Sequence, residues 1–323
     1  MSPSVVVVTD STAYLSEDET ARWGITVVPL KVVLGGREID DAVPPGDGAP
    51  ADAHGGTPAA GLDDGASADS PDGASTGALA RALRDRAPVT TSRPAPQRFA
   101  DAYARAAAEG ALGVVSVHLS AEMSGTVDAA RLAARDAPLP VEVVDSRSIA
   151  MGLGFAVLAA ARSAADGAPP AEVAEAARRQ AEAARTFFYV DTLDHLRRGG
   201  RIGLAANLVG SALAIKPLMH LGDGKITLLE KVRTASRAIA RLEDLAVEAA
   251  GDGPVDVAVQ HLMAAERAEA LAASLATRLP RLARMTVVEI GPVLGAHAGP
   301  GMLGVTIAPA VPEGPADGVR RAV

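Results

Sequence analysis

Residues 5–9 read Val-Val-Val-Val-Thr and stop at Asp10, Ser11 and Thr12. A β-branched run with no charged residue to mark a wet face must be covered on both sides. That is the condition of a central strand in a parallel sheet. Parallel strands need crossover connections, and the sequence supplies them. Helix patterns at 16–23, 97–109, 124–135 and 149–165 alternate with strand patterns at 26–34, 113–119 and 141–144. Gly24 stops the first helix, and Pro29 puts 26–34 at an edge or a bulge. The prediction over 1–166 is a parallel α/β domain, with a further helix at 78–86.

Residues 166–170 read as a linker. The remainder mixes helix patterns (171–184, 193–198, 205–214, 234–249, 264–277) with strand patterns (187–190, 255–259, 285–290). Gly222, Asp223 and Gly224 make a hairpin turn between 218–221 and 225–230. A short strand at 305–307 closes a sheet. This is a smaller α+β domain over 167–308, with 309–323 as a frayed tail. Residues 42–77 are mostly Gly, Ala, Asp, Pro and Ser, with Val43 and Leu62 as the only branched aliphatics. Burial there cannot offset the entropy of ordering, so a disordered insertion is predicted, with His54 solvated.

Composition removes several functions. The 323 residues contain no cysteine, which excludes disulfide frameworks, thiolate metal sites and cysteine nucleophiles. A net charge of −8 leaves no basic face for nucleic acid. One Trp, three Tyr and four Phe are too few for stacking platforms. No apolar run of ~18 residues is present, so no transmembrane segment is expected. No basic stretch precedes 5–8, which therefore reads as a strand and not a signal peptide, with the cytoplasm as the expected location. Walker-type, dinucleotide-binding and nucleophile-elbow motifs are missing. The six histidines lack metal-ligand spacing, and a strand end separates His118 from Glu122, so no metal or other cofactor is expected. No carboxylate pair stands out as an acid/base couple.

Four segments carry candidate chemistry. Ser124, Gly125 and Thr126 open a helix after a buried strand, which makes a helix cap or an anion seat at free N–H groups. Thr90, Thr91 and Ser92 form a hydroxyl-bearing turn before Pro94 whose side chains could face the same crevice. Arg197 and Arg198 end a helix, and Gly199 and Gly200 release the chain before Arg201. His297 stands alone in a loop of Gly and Pro at 291–301, with little packing to explain it. One enzymatic reading follows from these residues: a hydrolase or acyltransferase with Ser124 as nucleophile and His297 as base.

Taken in order, the motifs resemble the DegV family. They comprise Val8 to Ala13, Gly24 to Leu30, Thr91 and Ser92 before the prolines, Leu119 and Ser120 with Met123 to Thr126, and Asp145 and Ser146. Met151 to Gly154, Asp191 to Leu193, Arg198 to Ile202, Ile215 to Pro217, Gly295 to His297 and Gly299 to Gly301 complete the series. The resemblance implies a two-domain DegV-like fold, with a parallel-sheet α/β/α first domain and a mixed sheet in the second. It also implies a non-enzymatic protein that buries one long-chain fatty acid between its domains and presents the carboxylate to a separate fatty acid kinase, and a monomer is expected. The carboxylate-binding positions fall on Thr91, Ser92, Ser124, Arg201 and His297, and a kinase-facing arginine falls on Arg233. Where the family has a short acidic turn and helix, residues 41–77 depart from the pattern, and Arg93 stands where glutamine is usual.

Overall fold

A computed structural model describes residues 5–41, 76–85, 87–201 and 216–311. The first half contributes β1 (Val5–Asp10), α1 (Glu17–Trp23), β2 (Thr26–Val28), β3 (Lys31–Leu34), β4 (Arg37–Asp40), α2 (Thr76–Arg84) and β5 (Val89–Ser92). It continues with α3 (Pro96–Ala108), β6 (Gly113–His118), α4 (Thr126–Ala134), β7 (Val141–Asp145), α5 (Met151–Ala165) and α6 (Pro170–Ala183). The second half contributes β8 (Arg185–Tyr189), α7 (Asp194–Arg198), β9 (Lys216–Gly222), β10 (Lys225–Val232), α8 (Ala235–Ala250) and β11 (Val255–His261). Then come α9 (Ala265–Arg278), β12 (Leu282–Glu289), α10 (Pro292–Ala298) and β13 (Leu303–Pro309).

The fold is α/β. A four-stranded sheet in the order β2-β1-β6-β7 is parallel throughout. A separate six-stranded sheet, β10-β9-β8-β13-β11-β12, is antiparallel except for the β11/β12 pair. Helices α3 and α4 cover one face of the parallel sheet, and α8 and α9 cover the outer face of the mixed sheet. Between the sheets lie α5 and α6, packed on each other. That position explains the composition of α5, which is apolar on every side and almost wholly buried. The division at 166/167 expected from the sequence falls between these two helices.

Pro29 does more than mark an edge. The predicted strand 26–34 is two strands. β2 ends at Val28 as the edge of the parallel sheet, and β3 begins at Lys31 in a small antiparallel sheet, β4-β3-β5. β4 has no counterpart in the sequence reading. Thr91 and Ser92 lie at the end of strand β5 and not in a turn. The segment expected to close a sheet at 305–307 is part of β13, an interior strand between β8 and β11. Thr76 and Gly77, assigned to the insertion, begin α2. The rest of that insertion, the helix expected at 205–214 and the tail from 312 lie outside the described residues.

In the parallel sheet the chain leaves β1 toward β2 on one side and enters β7 from β6 on the other. The switch in direction between β1 and β6 opens a crevice at their carboxyl ends, the usual place for a ligand in such sheets. Buried Asp10 ties the two strand ends together. Its Oδ1 accepts from the Thr12 amide (3.1 Å) and hydroxyl (2.6 Å), and its Oδ2 from the Leu119 amide (3.0 Å). The same Oδ2 lies 3.0 Å from His118 Nδ1. His118 Nε2 is 2.7 Å from Ser116 Oγ, which accepts from the Tyr103 hydroxyl at 2.8 Å. Every member of this chain is buried. A Ser-His-Asp order is therefore present, but closed off under α3, so it organises the sheet and meets no substrate.

Candidate functional site

The crevice continues into a cavity between the two sheets. Its space, open mouth included, is about 820 Å³, of which about 70 Å³ can hold the centre of a water molecule. It is therefore a narrow slot. Leu30, Leu119, Ile149, Phe188, Ile290 and Met302 give much of it an apolar wall. All five residues singled out for the head group, Thr91, Ser92, Ser124, Arg201 and His297, line this one cavity, though they come from β5, the start of α4, the exit of α7 and α10.

Local chemistry explains how each arrives. Ser124 does not cap α4. Gly125 occupies that position without a side-chain bond, and Ser124 Oγ instead lies 2.8 Å from Thr126 Oγ1. Gly200 takes φ +70°, which releases the chain after α7 and turns Arg201 inward. Arg201 Nε donates to the Met123 carbonyl (3.3 Å) and Nη1 to the Gly199 carbonyl, so the guanidinium bridges the two halves of the site. Thr91 Oγ1 is 2.8 Å from His297 Nε2.

His297 corrects the sequence reading. Residues 292–298 form a short helix, not a loop. Asp41, placed by the sequence at the edge of the insertion, supports its start. The carboxylate is buried, its Oδ1 accepts from the Val293 amide (3.2 Å), and its Oδ2 accepts from Ser11 Oγ (2.8 Å). Burial pushes the Asp41 carboxyl up to about 7, against the bonds from Ser11 and Val293, with Asp10 nearby adding to the rise. Burial, with Asp41 adjacent, also holds the Tyr14 phenol well above its usual value.

His297 moves the other way. Burial first, and then the Arg201 charge, lower its imidazole to about 4. The ring is neutral at pH 7. Its Nδ1 is buried without a partner among the described residues. A buried N–H without an acceptor costs more than an unused lone pair, so the proton sits on Nε2 and is donated to Thr91 Oγ1. That leaves the Thr91 hydroxyl proton available to a ligand. Ser124 and His297 each bond a threonine and not one another, and among the described residues no carboxylate orients His297 Nδ1. The linkage a serine nucleophile requires is not made.

Gly199 explains part of the paired-glycine motif. A Cβ there would stand 2.1 Å from His297 Nδ1. Gly199→Ala is expected to push the imidazole off Thr91 and to weaken ligand binding more than it lowers stability. Titration calorimetry beside a denaturation curve checks this, and equal affinity in the variant would show that the close approach has no part in recognition.

Two contributions were not legible as such. Arg93 also lines the cavity, and a Cβ on Gly125 would lie 2.3 Å from its Nη1, so a second guanidinium rests on the start of α4. Beyond His297 an outer cleft of about 900 Å³, lined by Thr90, His195 and Arg198, shares Thr91, Arg201 and His297 with the slot. The head-group residues thus stand between the apolar slot and this outer cleft. Arg233 lies elsewhere, exposed in the bend between β10 and α8. Among the described residues no cluster of three or more metal-ligating side chains occurs, and no helix is long and apolar enough to cross a membrane.

Known proteins are similar to this chain in sequence and fold. The family model for uncharacterised DegV proteins matches residues 4–51 and 67–310 and passes over 52–66. A DegV domain-containing protein of Streptomyces coelicolor is 53% identical over 307 residues, covering 95% of this chain and 99% of its own. Among solved structures, a fatty-acid-binding DegV family protein from Thermus thermophilus is 30% identical, with a TM-score of 0.79 over 95% of this chain and 99% of its own. DegV from Bacillus subtilis, described as a fatty acid binding protein, is 27% identical with a TM-score of 0.79 over the same shares.

Proposed function

The chain belongs to the DegV family, and we propose that it binds one long-chain fatty acid noncovalently in the slot and presents the carboxylate to a separate fatty acid kinase. The observation that carries this is a narrow apolar cavity whose polar end gathers Thr91, Ser92, Ser124 and Arg201 beside a neutral imidazole. Burying about fifteen methylenes contributes at most ~12 kcal/mol gross, at ~0.8 kcal/mol each, before ordering costs. Removing a carboxylate from water costs several kcal/mol unless donors replace the solvent. The hydroxyls and the guanidiniums supply them. The outer cleft beside His297 keeps a carboxylate oxygen reachable, as phosphorylation requires. The phosphoryl chemistry belongs to the partner. The protein works as a monomer in the cytoplasm, without nucleic acid or a resident cofactor, and docks the kinase through Arg233.

Denaturing extraction followed by mass spectrometry should release an unmodified long-chain acid. If loading with saturated and unsaturated acids never yields an acyl ligand, the binding role is withdrawn. For the presentation step, acid-loaded protein is offered to a fatty acid kinase with ATP. Arg233→Glu should slow phosphate transfer and leave acid affinity unchanged. An unaltered transfer rate would remove Arg233 from the docking face.

A further inference from the structure

The slot is not apolar to its end. In the mixed sheet Gly304 of β13 pairs with Phe188 on one side and with Gln260 on the other, while Thr306 pairs with Thr186. Phe188, Gly304, Gln260 and Thr186 all line the cavity. Thr186 and Thr306 lie two residues, about 7 Å, further along the strands from His297 than Gly304 does. They lie away from the head-group residues, where Thr186 also borders a second cleft lined by Ser146, Ser148 and His220. Gly304 has no side chain, so the cavity reaches the sheet at this point.

Gln260, Thr306 and Thr186 are buried and form one hydrogen-bonded chain. The Met151 amide donates to Gln260 Oε1 at 2.9 Å, which fixes the orientation of the side-chain amide, because the reversed one would set N–H against N–H. Gln260 Nε2 donates to Thr306 Oγ1 at 2.8 Å, and the two threonine hydroxyls share one bond of 2.9 Å. The donors can be counted. The amide brings two N–H groups and each threonine one O–H, and the two bonds within the chain use one of each kind. One N–H and one O–H remain without an acceptor among the described residues. Around them Ile149, Ala150, Ile226 and Met302 line the slot with apolar side chains. Buried donors without acceptors are expensive, and a wall of Val and Leu would have avoided the cost.

We propose that Thr186 and Gln260 form a second recognition point, a donor pair for an oxygen carried on the distal half of the acyl chain. A hydroxy or keto fatty acid is then held in preference to the plain acid of equal length. The inference rests on the fatty-acid reading above and extends it to substrate class. The same acceptor chemistry could come from a trapped water, and the two sources differ in what they do to affinity. A water serves every chain alike, whereas a chain oxygen helps at one position only. Elsewhere along an apolar slot a hydroxyl is penalised, because it loses water and gains no partner.

The test uses the full-length protein and a series of monohydroxylated acids of one chain length, with the hydroxyl moved stepwise from the carboxylate toward the tail. Each competes with the parent acid. The expected result is a peak, in which one position or two adjacent ones in the distal half bind about tenfold more tightly than the parent and the others more weakly. Thr186→Val, which keeps shape and removes the hydroxyl, and Gln260→Leu should erase the peak, bringing the favoured isomer down to the level of its neighbours in the series. Parent binding tighter than every isomer, as a trapped water or a dry wall would give, overturns the proposal. So does a peak that survives both substitutions. If Gln260→Leu does not fold, the wild-type series and Thr186→Val decide between them. Parent binding without a peak removes this inference alone, while no binding of any acid removes the fatty-acid reading with it.

Discussion

Ser124→Ala and Arg201→Ala should each weaken binding of a long-chain acid by about five- to a hundredfold and barely change the affinity of the matched fatty alcohol. The expectation follows from where the two side chains stand. Among the described residues Ser124 Oγ has a single partner, Thr126 Oγ1, and keeps capacity for another. Arg201 spends two of its donors on the Met123 and Gly199 carbonyls, and three remain. A carboxylate entering this end loses its water and is paired by what is left. An alcohol carries no charge, loses less on entering, and buries the same methylenes. The larger loss is expected for Arg201, since its removal also frees the loop that carries Ser124. Arg93, resting on Gly125, sets a floor to both effects by retaining one cation at the mouth. Arg93→Ala combined with Arg201→Ala should therefore exceed the sum of the single effects. Isothermal titration of acid and alcohol against each variant measures this. Equal losses for both ligands would mean that these residues shape the slot and do not read the carboxylate.

The parallel sheet was legible because its strands must be covered on both faces, which leaves valine-rich runs without a charged residue at 5–9 and 113–117. The head-group residues came from motif order, and the sequence had no means of showing that they meet. What it hid depends on distance along the chain. α10 has seven residues, two of them Pro292 and Gly295, and no side-chain cap of its own. Its helix is imposed from outside, by Asp41 on the Val293 amide and by Leu79 and Leu262 packed so close to Gly295 that a Cβ would clash. Propensity could not forecast that, since tertiary contacts override it. His118 read as an isolated histidine because its partner Asp10 is 108 residues away. Gln260 and Thr186 sit in strands of ordinary composition, and only the register with Gly304 shows that they face the slot.

Asp41 and His297 should give opposite pH slopes of stability, each hidden in the wild type by the other. Asp41 moves from 3.8 to about 7 on folding, mainly through burial. Between those values the folded chain keeps a proton that the unfolded chain has lost, so this group makes stability fall as pH rises through about 4 to 7. His297 moves from 6.5 to about 4, through burial and then Arg201. Between about 4 and 6.5 the unfolded chain carries a proton that the folded chain lacks, so stability rises with pH over that window. The two contributions cancel in large part from about 4 to 6.5. Each substitution should unmask the other group. Relative to wild type, Asp41→Asn should gain stability steadily as pH rises toward 7, and His297→Gln should gain it as pH falls toward 4. The differences are on the order of 4 kcal/mol for Asp41→Asn and 3 kcal/mol for His297→Gln across their windows, at about 1.4 kcal/mol per pH unit for one proton. The remaining titrating groups are common to all the curves and drop out of the differences. The two groups are also joined physically, since Asp41 holds the Val293 amide one turn before His297 on the same helix. With both slopes removed, the double variant should run close to the wild-type profile between about pH 4 and 6.5. Urea denaturation at fixed temperature over pH 4 to 8 reads all four curves, and variant profiles parallel to the wild type would show that neither group titrates in the buried state described.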